Sequence, residues 1–212
     1  MSGLFLRSLP GRAAAWAVVT ALALGCSDSA GPEPVDPGAF RATLSGGATG
    51  SFAGVASHRQ VDSWQFFSIL LEHVPDGEPD ETPDPQIILE HVGGQPGVGT
   101  YTVVTGTGTE PPTPTASEMA LFMYMPHGGA LERLDFDPEH VSGTVRIDVA
   151  TDLEYAGTIT VEGPAHWDDG SSAGTVRLSA EFRSEPFDWS RRMQRDGRRA
   201  ATPAATTRRL SP

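Results

Sequence analysis

From Phe40 to about Phe187 the chain runs in short apolar or alternating stretches punctuated by Gly and Pro. That punctuation predicts strands rather than helices. The runs fall at 40–44, 51–57, 63–74, 86–92, 100–105, 119–125, 131–136, 141–149, 156–162 and 175–183. Three of them alternate with period two: Val145-Arg146-Ile147-Asp148-Val149, Thr158-Ile159-Thr160-Val161-Glu162 and Val176-Arg177-Leu178-Ser179-Ala180-Glu181-Phe182. Each should bury one face and wet the other. Only Ser117–Met125, rich in Met, Ala, Leu and Glu, offers a helix alternative.

Ile69-Leu70-Leu71-Glu72-His73-Val74 returns 18 residues later as Ile87-Ile88-Leu89-Glu90-His91-Val92. The segment between is Pro-rich and acidic and cannot itself be a strand, so the two copies read as the arms of a hairpin. About ten short strands with frequent turn signals predict one all-β domain over residues 39–188, an antiparallel β-sandwich or barrel of 8–10 strands. The Gly99-Thr100-Tyr101-Thr102-Val103 stretch and the strand-opening glycines Gly143, Gly157 and Gly174 resemble those of uncharacterised β-rich bacterial lipoproteins. That resemblance implies a fold class and no activity.

The flanks differ from this domain. Arg7 and Arg12 precede the apolar run Ala13–Leu24, which suits an export signal and is too short to span a bilayer. It ends in Leu22-Ala23-Leu24-Gly25-Cys26, and Cys26 is the only Cys in the chain. This resembles the lipobox of bacterial lipoproteins. The resemblance implies a signal peptide over 1–25 and a diacylglyceryl group on Cys26. Ser27 after the Cys goes with outer-membrane sorting in enteric-type lipoproteins. Two or three acyl chains hold far more firmly than one. Residues 26–38, rich in Ser, Gly and Pro, then read as the lipidated end and a flexible tether.

Charge divides the mature part again. Residues 40–188 carry 23 acids and six Arg, whereas 189–212 carry seven Arg and one acid. The formal net charge of −12 argues against a nucleic-acid partner for the whole chain. The Arg-rich stretch reads as a disordered tail with chemistry for an anionic lipid or envelope polymer. A single Cys excludes an intrachain disulfide framework and a Cys-rich metal site.

Within the domain, no Gly-x-Ser-x-Gly elbow and no His-Glu-x-x-His motif occurs. Asp135, Asp137 and Glu139 stand two apart, and five acids crowd positions 76–84. Carboxylates on loops are what calcium takes, which makes Asp135, Asp137 and Glu139 the candidate ligands and calcium the one cofactor to test for. His73 and His91 on paired strands could approach each other if the register allows. Trp64, Phe66, Phe67, Phe122 and Tyr124 are placed for the core or for an exposed aromatic face.

The expectation is a lipid-anchored cell-envelope protein that binds or scaffolds rather than catalyses. A calcium-stabilised module and a periplasmic-side hydrolase without a recognisable motif are the alternatives.

Overall fold

A computed structural model describes residues 33–61, 66–73, 84–107 and 111–188. Cys26, the export signal, Trp64, all of the acidic 76–84 run but Asp84, and the Arg-rich stretch lie outside these residues. Among the described residues there is no helix, and hence none long and apolar enough to cross a membrane. Ten strands occur: β1 Ala39–Gly46, β2 Gly50–Val61, β3 Phe66–His73, β4 Gln86–Val92, β5 Gly99–Val104, β6 Glu118–His127, β7 Ala130–Phe136, β8 Ser142–Ala150, β9 Tyr155–Trp167 and β10 Ser172–Pro186. Each predicted run has its strand. The helix alternative over Ser117–Met125 does not form; that segment is β6, with Met119, Leu121, Met123 and Met125 buried and Glu118, Phe122 and Tyr124 half-buried. Period-two burial, not the helix propensity of Met and Ala, decided it.

The strands form one sheet whose pairings close on themselves. β1 joins β10 and β2, then β3, β4 and β6 follow, and β9 returns to β10. Between β6 and β9 the gap is filled differently at the two ends. β7 bridges them through Tyr124↔Arg133 and Leu134↔Trp167. Further along, β5 and β8 take its place, through Val103↔Met119, Tyr101↔Val145 and Val145↔Ile159. The result is an eight-strand ring at one end and a nine-strand ring at the other. A closed ring exposes no strand edge for pairing with another chain.

The sheet is mostly antiparallel, as expected, with two parallel contacts. β5 lies parallel to β6, and the last residues of β10 pair with β2 through Glu185↔Ser57 and Pro186↔His58. The second contact has a simple cause. β1 starts at Ala39, and beyond that point its two neighbours, which run the same way, meet each other.

The interior is filled with side chains. Phe40, Phe67, Phe136, Tyr155 and Phe182 pack there with Ile69, Leu71, Ile87, Leu89, Met119, Met123 and Leu134, each under 2 % exposed. Each such burial contributes about 1.5–3 kcal/mol. An eight-strand barrel is just wide enough to be filled this way. The alternating runs behave as predicted, with Val176, Leu178, Ala180 and Phe182 inside and Arg177, Ser179, Glu181 and Arg183 outside or at the surface. Val149 departs from the pattern and is 36 % exposed. Ile147 pairs with Gly157 and Val149 with Ala156, so Asp148 is an extra residue and the register slips at this bulge.

Pro164 sits within β9, where a proline would ordinarily break a ladder. Its carbonyl accepts from the amide of Asp137, in the jog where β7 stops and β8 begins along the same side of β9. Pro164 thus stands in the gap between the β7 and β8 ladders, where its missing N–H interrupts neither.

Chain direction defines two ends. At the entry end, β1, β3, β5 and β9 begin and β2, β4, β8 and β10 finish. At the far end lie the β1–β2, β6–β7 and β9–β10 connections, the last residue of β3 and the first of β4.

Candidate functional site

The β3–β4 pairing tests the two Glu-His dipeptides. Phe67 stands opposite His91, and the amide of His73 donates to Pro85 at 3.0 Å. Six residues separate these levels, about 20 Å along a strand. The two histidines share the inner face but not a site. Glu72 and Glu90 take the outer face, as adjacent positions must. Burial pushes the Glu90 carboxyl up, and Arg59 nearby pulls it back.

His58 and His91 are buried at 5 % and 6 % exposure, and each is a structural joint. The His91 ring nitrogens lie 2.9 Å from the Gly94 carbonyl and 3.0 Å from that of Ala116, tying two connections to β4. His58 Nδ1 lies 3.0 Å from Ser184 Oγ, and its ring packs on Phe67 and Tyr155 at centroid distances of 5.7 and 4.9 Å. Burial holds the His58 imidazole below its ordinary value of 6.5, against the pull of its hydrogen bonds and Asp152. A serine beside a histidine invites a nucleophile reading. Ser184, however, has no exposed surface, and its hydroxyl donates to the Tyr155 carbonyl at 3.1 Å. In this fold the hydroxyl is closed from solvent.

The acid run at 135–139 splits on folding. Asp135 faces outward from β7 and pairs with Arg133 at 2.7 Å. Desolvation raises its carboxyl, and Arg133 works against that rise. Asp137 turns back on its own loop, accepting from the Glu139 amide at 2.9 Å and lying 2.8 Å from His140 Nδ1. Those bonds hold its carboxyl below the usual carboxylate range. Glu139 is exposed at the tip of the turn. Among the described residues, Asp135, Asp137 and Glu139 do not converge into a three-ligand group. Spacing of two in sequence aligns side chains only on an unbroken strand, and β7 ends at Phe136. The expected calcium ligand set is therefore not assembled.

Asp135 and Asp137 do meet other groups. They line an open cleft of about 340 Å³ with Thr107, His166, Trp167 and Asp168 at the far end. A groove of about 370 Å³ at the entry end is lined by Pro37, Val55, Glu185 and Phe187, among others, where the chain enters and leaves the barrel.

On the inner side of the same far end another cluster forms. Gly128 and Gly129, at φ of 60° and 88°, make the tight β6–β7 turn that only such residues favour. The turn pairs His127 with Ala130 and Met125 with Glu132, so His127 and Glu132 lie diagonally on the inward face. The Leu134↔Trp167 pairing then brings in the β9–β10 turn, which carries Asp169. Donor atoms of His127, Glu132 and Asp169 all lie within 4.8 Å of one another.

Two of the three are held in place. The His127 ring stacks on Trp167 with centroids 4.1 Å apart and planes 8° off parallel. Asp169 Oδ1 accepts from the Ser171 amide at 2.7 Å, and its bonds from Ser171 keep its carboxyl below the usual range. Glu132 is different: its Oε2 is closed to solvent and has no hydrogen-bond partner. A buried polar atom left unpaired costs roughly 1–3 kcal/mol, and more when charged.

Neither His127 nor Glu132 nor Asp169 stands out in the sequence as a candidate ligand. The local signal was there, in a His and a Glu flanking a Gly-Gly hairpin. The third partner comes from a strand pairing that no local pattern encodes.

The candidate aromatic face is divided in the same way. Phe67 is core, whereas Phe66, Phe122 and Tyr124 are half-buried. No family model, curated protein or solved structure matches this chain.

Proposed function

We propose that the chain is an exported protein, anchored to the cell envelope through a lipid on Cys26, whose barrel binds a partner at its far end without catalysing a reaction. The observation that carries this reading is the polarity of the barrel. The chain enters at Ala39 and leaves β10 at Pro186 on one end, while the β6–β7 and β9–β10 turns with His127, Trp167 and Asp168 lie at the other. A domain tethered at its entry end presents those turns away from the membrane. The filled interior supports the same reading, since ligand contact then falls to the rim and the outer surface.

The reading is tested by metabolic labelling of the full chain with an alkyne fatty acid in a bacterial host. The unaltered chain is expected to carry label and to sediment with the envelope. Cys26→Ser is expected to lose the label and the membrane association together. Label and sedimentation unchanged in Cys26→Ser would remove the anchor and with it the reading.

A further inference from the structure

We propose that His127, Glu132 and Asp169 form a binding site for a divalent transition-metal ion of the zinc class at the inner lip of the barrel's far end. The inference goes beyond the anchored-binding reading and does not depend on it.

Three elements supply the donors: the end of β6, the start of β7 and the β9–β10 turn. Their ligand atoms lie within 4.8 Å of one another. On one tetrahedral ion, with bonds of about 2.0–2.2 Å, donors stand about 3.4 Å apart. Rotation of the Glu132 side chain, whose Oε2 no hydrogen bond holds, by about an ångström closes that difference.

The donor set selects the ion. Calcium takes oxygen ligands in numbers of about six to eight. One imidazole nitrogen with two carboxylate oxygens instead suits zinc and its neighbours.

An independent observation points the same way. Glu132 Oε2 is shut from solvent without a hydrogen-bond partner, and an ion bound by this carboxylate offsets the cost of that burial. The neighbours fit a prepared site as well. Trp167 fixes the plane of the His127 ring, and the Ser171 amide fixes Asp169. Groups that orient a ligand in this way are what metal sites rely on. With three protein donors, at least one coordination position stays open to water or to a donor from a bound partner.

Zinc chloride titrated calorimetrically into the chelator-stripped full chain tests the proposal, with calcium chloride in parallel. One zinc per chain is expected at micromolar affinity or tighter, with a matching rise in melting temperature. Calcium is expected to give neither. His127→Ala and Glu132→Gln should each weaken zinc by at least about tenfold, while His140→Ala leaves it unchanged. Asp169→Asn lies on an exposed turn, so it decides the matter if either inner-face variant fails to fold. No zinc binding by the unaltered chain would overturn the site. So would undiminished affinity in the folded variants, or a calcium response equal to that of zinc.

Discussion

His58 shows how one buried side chain sets a pH response. Its imidazole lies between Phe67, Tyr155 and Ser184, and burial favours the neutral form. The unfolded chain, with an ordinary histidine near 6.5, takes up the proton first as pH falls. The unfolded state then binds more protons than the native state, so stability drops as pH falls below that value. Above it the contribution is fully present. Denaturant melts from pH 7.5 to 5 should therefore lose stability more steeply for the unaltered chain than for His58→Gln. Equal slopes would show that this ring does not titrate on unfolding.

At the scale of the element, glycine marks where strands come too close for a side chain. Gly157 in β9 faces the bulge of β8, and a Cβ there would lie within 1.9 Å of the Arg146 carbonyl oxygen. The obstacle is backbone and cannot rotate away. Gly157→Ala is expected to destabilise the barrel by about 1–3 kcal/mol or more, the cost of overpacking. Gly93→Ala, with open space around it but φ of +86°, should cost less than that. Equal midpoints in urea for the two variants would argue that the bulge relaxes freely. The strand-opening role read for Gly143 and Gly157 was therefore only half their meaning. Both lie within the opening residues of their strands, but close approach of the neighbouring backbone is what requires them.

For the whole molecule, closure makes the core a shared object. Ile69 on β3 and Phe182 on β10 are both fully buried, although they sit on opposite sides of β1 and β2. Ile69→Ala should cost about 2–5 kcal/mol and Phe182→Ala about 3–5 kcal/mol. Each should lower a single cooperative transition, measured by urea unfolding with two optical probes. A variant that melts one half while the other persists would contradict a continuous core.

What the amino-acid order determined by itself is the ladder of strands. Alternation in Val176–Phe182 and the repeated Leu-Glu-His arms are local facts, set by which faces must be dry, and they survive in the structure almost residue for residue. The lengths of β9 and β10 were under-read, because Pro164 and Gly174 look like breaks until the jog beside Pro164 and the bulge at Gly174 are seen. Closure into a ring, the parallel contacts and the two ends were decided only in three dimensions, since they depend on which distant strands share hydrogen bonds. The candidate site divides along the same line. Residues two apart in sequence, Asp135 to Glu139, were parted by the end of a strand. His127, Glu132 and Asp169 were gathered by a hairpin and a pairing more than thirty residues apart in the chain. Periodicity reports a side chain's face, and only tertiary pairing reports its neighbours.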